Sequence, residues 1–335
     1  MQIEEKIDLK RYQFRELHPN IFIGMASDRY AGWIGQVYSE GRYTQGMTHR
    51  THKVGERSFV EEVLPVESVE EYFEHFSTLE IDYTFYRPLL DKVGKPTPNY
   101  FTLKQYRQYL TKDDQLILKV PQLIFAKRIR RGGKFVENET YLNSEIFNNQ
   151  FYKPAVEVLG SKLSGFIFEQ EYQPKKERVE VEEMAESLDT FFKAVPKDKH
   201  YHIELRTEAY LSERVFDILE RHGVGLVYSH WTWLPPLSKQ FSKTKGRFFN
   251  SGGDCIMRLM TPLRMNYEDS YAKAFPFNKM VDGMMHPEMI EDTVKIIIEG
   301  IRRSKRMNII INNRAGGNAP MIAQQIAKRL QEVEL

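Results

Sequence analysis

Two short stretches carry charge where an apolar strand would be expected. "LEIDYTFYR" (Leu79 to Arg87) places Glu80 and Asp82 two residues apart among Leu, Ile, Tyr and Phe, and "HIELRTE" (His202 to Glu208) places Glu204 and Arg206 at the same spacing. An arginine beside such acids holds one carboxylate ionised while burial raises another, the arrangement that general acid/base chemistry requires. The same residues would serve equally as a structural ion-pair network, because a charge buried alone costs several kcal/mol or more. Both readings stay open on the sequence.

Three further features carry candidate chemistry. Lys119, in "LILKVPQ", would become a nucleophilic amine if desolvation lowered its pKa, or would stay a cation facing Glu80, Glu169 or an anion. "NNRAGGNAP" ends a strand at Asn312 and Asn313, turns at Gly316 and Gly317, and opens a helix at Asn318 and Pro320. Exposed N–H groups there would bind phosphate, and a plain turn with an Asn cap is the alternative. Only His202 and His230 fall near strand ends, so no zinc and no cofactor is expected, and carboxylates alone would have to hold Mg²⁺ or Mn²⁺.

Positioning these groups requires strands. Side chains alternate along a strand, so Leu79, Ile81, Tyr83 and Phe85 share one face and Glu80, Asp82, Thr84 and Tyr86 the other. The parity recurs with Ile203 and Leu205 against His202, Glu204, Arg206 and Glu208, while Glu169, Arg258 and Asn312 sit late in their own runs. The β-rich runs begin near Ile21, Leu79, Leu116, Gly165, His202, Gly225, Cys255 and Asn308, with amphipathic helical segments between them. That alternation predicts an α/β fold, a (β/α)8 TIM barrel of parallel strands, ahead of an open doubly wound sheet. Residues 21–335 would form the single barrel domain and 1–20 an N-terminal extension, with long loops after strands 1, 3, 6 and 7. Catalytic groups of such barrels stand at the C-terminal strand ends, where these charges fall.

Bulk composition narrows the classes. A hydrophobic content of 41% fits a globular protein and the apolar runs are too short to cross a bilayer. The opening "MQIEEKIDLKRYQF" lacks the apolar core of a signal peptide, and the single Cys255 excludes an internal disulfide, so a cytoplasmic location is expected. The net charge is only +2, but Gly41 to Gly55, Gln115 to Val136 and Trp231 to Gly253 hold bases without acids. They interleave aromatics, as in "SHWTWLPP", a mixture suited to phosphate contacts and base stacking.

Ordered motifs then carry a resemblance. "GMASDRYAGWIGQVYS" resembles the YecE-like opening "GTSGWxYxxWxGxFYP", keeping Gly24, Tyr30, Trp33, Gly35 and Tyr38. "LEIDYTFYR" resembles "VEINSTFYR", and "LILKVPQLIFAKR" resembles "FxVKAPxxITH" with Lys119 and Pro121 kept. "LGSKLSGFIFEQ", "IELRTEAY" and "IIINNRAGGNAP" are similar to "LGxKLGPxLFQ", "VEFRHxSW" and "xyFNNxxxGxAP". The resemblance is to the YecE-like family, domain-of-unknown-function family 72, and implies a TIM barrel without implying an activity. Histidines of the family pattern are replaced by Thr207 and Met260, and a third falls near Ala126.

The leading expectation is a hydrolase or lyase acting on a phosphate-bearing or nucleic-acid ligand. Glu204 would be acid/base, with Glu80, Asp82 and Lys119 beside it and Arg206 and Arg258 as anion stabilisers. Asn312 and Asn313 would orient a substrate held by Tyr30, Trp33, Tyr86 and Glu169. Gly316, Gly317, Asn318, Arg128, Arg130 and Arg131 would meet phosphate. A non-catalytic nucleic-acid-binding protein and a small-molecule carbohydrate enzyme are the alternatives.

Overall fold

Each of the eight β-rich runs forms a strand in the computed structural model, which describes residues 9–131 and 134–333. They are β1 (Ile21–Ala26), β2 (Thr78–Ile81), β3 (Gln115–Lys119), β4 (Leu163–Glu169), β5 (Tyr201–Glu204), β6 (Gly225–Leu226, continuing as Tyr228–His230), β7 (Asp254–Leu259) and β8 (Arg306–Ile311). All pair in parallel with their sequence neighbours, and β8 pairs with β1. The first segment of β6 pairs with β5 and the second with β7, so the ring closes through that strand. The helices between successive strands and after the last surround it: α1 (Val69–His75), α2 (Pro98–Tyr109), α3 (Lys153–Leu159), α4 (Val181–Ala194), α5 (Glu213–His222), α6 (Leu237–Lys243), α7 (Pro287–Arg302) and α8 (Ala319–Gln331).

Strand alternation divides the core in two. Leu79, Ile81, Leu118, Phe166, Phe168, Ile203 and Met257 point outward to the helix layer. Ala26, Ile117, Ile167, Val227, Ile256, Met260 and Ile310 point inward and plug the barrel with an apolar cluster. Two residues further along the strands, at the same parity as Ile117, Ile167 and Ile256, stand Lys119, Glu169 and Arg258. The interior is therefore layered, as closed barrels of this size require.

The segment before β1 belongs to this core. Phe14 and Leu17 are buried, and Phe14 stacks on Phe76 with ring centroids 5.5 Å apart. The loop after β1 carries an antiparallel hairpin, Thr48–Val54 against Arg57–Val63, and the loop after β3 carries a second, Arg128–Arg131 against Lys134–Glu137. The loop after β7 contains a helix at Tyr267–Ala274. The long loop expected after strand six is a correction: α6 begins at Leu237, and the remaining length is the return from α6 to β7.

Closure brings β1 and β2 very close at Gly24. A Cβ there would stand 2.0 Å from the Thr78 carbonyl oxygen, a backbone atom that cannot rotate away. Gly24→Ala is expected to lower the urea midpoint by the equivalent of at least about 2 kcal/mol. An unchanged midpoint would mean that the two strands do not approach in this way.

Candidate functional site

Five strands deliver charge to one level of the barrel. Arg258, from β7, is buried and makes a two-pronged contact with Glu80 of β2, its Nε donating to Oε2 at 2.7 Å and its Nη2 to Oε1 at 2.6 Å. Its Nη1 donates to Glu169 Oε2 of β4 at 3.1 Å and to Glu204 Oε2 of β5. Lys119 Nζ reaches Glu169 Oε2 at 2.6 Å, and Arg206 Nη2 reaches the same oxygen at 2.8 Å. Ser229 Oγ donates to Glu204 Oε1 at 2.6 Å. Three carboxylates (Glu80, Glu169, Glu204) thus face three cations (Lys119, Arg206, Arg258), and the layer is balanced.

Burial acts on every member, and the outcome depends on the partners. Burial pushes the Glu169 carboxyl up, but Arg206, Lys119 and Arg258 together outweigh it and hold it well below the ordinary carboxylate range. For Glu80 burial prevails over Arg258 and Lys119, and its carboxyl is raised. Burial opposes the charge on Arg258, but Glu204, Glu80 and Glu169 more than compensate and hold it firmly cationic.

This geometry separates the residues proposed from the sequence. Glu80, Lys119, Glu169, Glu204, Arg206 and Arg258 do meet. Both oxygens of Glu204 are occupied, by Ser229 and by Arg258, so proton exchange with a substrate would first have to break that network. Lys119 is an ion-paired cation with its Nζ 4.0 Å from the Phe85 ring centroid. The strand stops at Ile81, and a turn at Tyr83–Phe85 breaks the alternation, so Tyr86 is 72% exposed and Thr84 donates to the Lys119 carbonyl. Glu208 likewise leaves the barrel interior to pair with Lys243.

Asp82 and Tyr30 lie instead on the wall of a cavity of about 610 Å³ above β1 and β2. The hairpin strand Arg57–Val63 and Phe275–Asn278 complete the wall, and Glu80 also reaches it. Glu61 fastens the hairpin, accepting from Arg50 and from Tyr271 and contacting His52 Nδ1 at 2.9 Å.

Asp28 is the residue that sequence reasoning missed. It stands two positions beyond β1, is buried, and lines the same cavity. Tyr106 OH donates to its Oδ1 at 2.8 Å, while Oδ2 has no protein partner. Burial raises its carboxyl pKa to about 6 despite the nearby Arg29 guanidinium and the Tyr106 hydrogen bond. The available signal was an acid just past the end of an apolar strand, in "ASDRY"; Tyr106, on α2, gave none.

The expected phosphate turn is closed. Asn313 Oδ1 accepts from Trp33 Nε1 at 3.1 Å and from Ala319 N at 2.8 Å, while Asn318 Oδ1 accepts from Met321 N at 2.9 Å. Gly316 and Gly317 donate to the Asn313 carbonyl, and Gly317 is so close to Lys279 that a Cβ would lie 2.4 Å from its carbonyl oxygen. Asn312 caps the turn through Arg314 N at 3.0 Å, and Trp33 is wholly buried. The first turn of α8 therefore has its amides occupied, and Trp33, Asn312 and Asn313 act as structure. Thr207 accepts from Gln170 and Gln173 to hold the loop after β4, and Met260 packs in the barrel plug.

The cationic rim is also corrected. Arg50 and His52 pair with Glu61 and His49 with Glu62, all within the first hairpin. Arg128 pairs with Glu177, while the side chains of Arg130 and Arg131 lie outside the described residues. Lys245 and Arg247 pair with Glu213 on the return toward the start of β7, away from the mouth. Among the described residues no group of three or more His, Cys, Asp or Glu is placed to hold a metal, the inner glutamates being turned onto Arg258. No helix among them is long and apolar enough to cross a membrane.

The class defined by these features is a (β/α)8 barrel with an ion-paired inner layer and a cavity at its C-terminal mouth. The sequence matches the protein family of unknown function DUF72 over residues 22–335, and the chain belongs to that family. It is similar to the crystal structure of a DUF72 family protein from Enterococcus faecalis, with TM-score 0.55 and 16% identity over 94% of this chain and 96% of that one. A DUF72 family protein from Thermotoga maritima gives TM-score 0.54 and 14% identity over 93% and 99%. Among curated proteins no match is found.

Removing the central guanidinium tests the layer. Arg258→Met strands three buried carboxylates and is expected to destabilise by about 3–5 kcal/mol. The loss should be smaller at pH 5 than at pH 8 in urea titrations, because the stranded acids can take up protons at the lower pH. A loss independent of pH would contradict the network.

Proposed function

We propose that the protein is an enzyme of hydrolase or lyase type whose substrate is a neutral, polyhydroxylated small molecule bound in the cavity above β1 and β2. Asp28 is its general acid and Asp82 the accompanying carboxylate. One observation carries the reading: a buried carboxyl that lines a cavity, has an unpartnered oxygen, and keeps its proton up to about pH 6. Buried polar atoms without partners are uncommon and call for an explanation, and a ligand hydroxyl supplies one. Pairs of carboxyl groups in unlike environments perform acid and base roles in glycoside cleavage.

The lining supports the substrate class. Asp28, Glu61, Glu62, Glu80 and Asp82 stand against the cations Arg29 and Arg50, so a phosphate would meet predominantly negative walls. Hydroxyl groups donate readily to such acceptors, and Tyr30, Tyr83, Phe275 and Phe277 offer apolar surface to the C–H faces of a sugar. The phosphate-bearing or nucleic-acid ligand expected from the cationic loops has less support, since the turn amides are occupied and many of those cations are paired. In hydrolysis, the bond from carbon to the leaving oxygen breaks and that oxygen takes the Asp28 proton. Water forms the new bond to carbon and gives its proton to Asp82.

A panel of neutral aryl glycosides, an aryl phosphate and a single-stranded oligonucleotide tests this reading. Turnover of a glycoside is expected, with kcat falling as pH rises through about 6, and Asp28→Asn should lower it by about 10²–10⁴. Turnover of the phosphate or the oligonucleotide that survives Asp28→Asn would refute it.

A substrate-free measurement checks the protonation of Asp28. The folded state holds its proton above the unfolded pKa near 3.9, so its contribution to stability falls as pH rises from there to about 6 and is constant above. The wild-type stability should therefore drop relative to Asp28→Asn across that window, by up to about 3 kcal/mol. Parallel stability curves for the two proteins would exclude the shift.

A further inference from the structure

Across the mouth from the cavity lies a cluster of aromatic rings that the proposed chemistry does not use. Tyr172 follows β4, and Trp231 and Trp233 follow β6. The Tyr172 ring centroid is 6.0 Å from that of each tryptophan, and Tyr172 and Trp233 are 43% and 48% exposed. In a ring of eight strands β1 faces β5, so loops after β4 and β6 stand opposite a cavity built on β1 and β2. Trp231 is fixed from below: the Arg206 guanidinium carbon lies 4.8 Å from its ring centroid, and the ring packs against the barrel plug. Arg206 is held in turn by Glu169 and Glu204. The platform therefore rests on the rigid ionic layer.

We propose that Tyr172, Trp231 and Trp233 form a distal binding site for the uncharged sugar units of an oligosaccharide whose reacting end lies in the cavity. This inference rests on the carbohydrate reading given above. The charges around the rings favour an uncharged chain. Arg206 beneath them is ion-paired, Lys243 is paired with Glu208, Lys127 with Glu183 and Arg128 with Glu177, so these cations are already engaged where a phosphate backbone would need them. Exposed aromatic rings held on a rigid support supply contact area at little conformational cost. A pyranose can lay its C–H face on such a ring while its hydroxyl groups remain in water. The ion-paired floor between platform and cavity is balanced in charge and offers a neutral chain no repulsion.

The protein supplies its own reporter. The chain has three tryptophans, and Trp33 is wholly buried with its Nε1 bonded to Asn313, so a ligand at the mouth can perturb only Trp231 and Trp233 directly. Intrinsic fluorescence would be titrated with neutral β-linked gluco- and xylo-oligosaccharides from mono- to hexasaccharide. Affinity is expected to rise at least about tenfold with length, equivalent to about 1.4 kcal/mol. Trp233→Ala should abolish that gain and Trp233→Phe restore part of it, with turnover of a short aryl glycoside unchanged in both. Emission unaffected by every oligosaccharide, or a length dependence unaltered in Trp233→Ala, would overturn the platform. Quenching by a single-stranded oligonucleotide that weakens with salt, and is lost in Trp233→Ala, would assign the rings to nucleic acid and overturn it equally. If length-dependent binding survives while Asp28→Asn leaves glycoside turnover intact, the acid role fails and the platform stands. Loss of turnover in Asp28→Asn without any length dependence separates the two in the opposite sense.

Discussion

A single guanidinium organises the barrel interior. Arg258 projects from β7 and contacts carboxylates from β2, β4 and β5, so strands far apart in the chain must meet with their charged residues at one height. Buried ion pairs contribute little net stability because desolvation offsets their attraction, and their better attested role is to specify one arrangement among several. A strand slipped by one residue would carry its charge into the helix layer and leave its partners stranded. The apolar plug below has no such directional demand, since Ile117, Ile167, Ile256 and Ile310 tolerate rearrangement more readily than a forked contact does.

The same constraint moves the proposed chemistry sideways. With Glu204 and Glu169 committed to cations, the carboxylates at the centre of the mouth are occupied, whereas Asp28 Oδ2, just past the end of β1, has no hydrogen-bond partner. Glu80 joins the two regions: Arg258 grips its carboxylate while the residue reaches the cavity wall. Its backbone carbonyl also accepts from Ser27 N at 3.0 Å, next to Asp28. The ionic layer thus anchors the floor under the proposed acid, and the hairpin fastened by Glu61 supplies the roof.

Much of this was legible in the sequence, and the boundary is physical. Strand parity is a local property, so the inward direction of Glu80, Glu204 and Arg206 could be read from alternation, while Glu169 and Arg258 were legible only as late in their runs and Lys119 only as a charge within an apolar one. Parity fails where the strand ends, which is why Thr84 and Tyr86 leave the interior and Asp82 goes to the cavity. Charge composition misled for a related reason. His49, Arg50 and His52 looked free because their acids, Glu61 and Glu62, belong to the returning strand of a hairpin, and Arg42 because its partner Glu71 lies on α1. Lys245 and Arg247 looked like rim residues until the return to β7 paired them with α5. Trp33, Asn313 and Gly317 had the composition of a ligand loop, and mutual packing made them a closed turn.

Asp28 and Glu169 show how one barrel mouth produces opposite acids. Both are buried, so desolvation favours the protonated form of each. Glu169 has three cations within its field and stays ionised; Asp28 has Arg29 and one tyrosine hydroxyl, which leaves desolvation ahead. The difference follows from register. Glu169 occupies the inward-facing level at which β3 and β7 deliver Lys119 and Arg258. Asp28, two residues beyond the end of β1, has passed that level and meets the aromatic underside of the first loop. A carboxyl in the ionic layer is held as a fixed counter-charge. One just above it, with a single neighbouring cation in Arg29 and opening on a cavity, is in the environment that favours proton transfer near neutral pH.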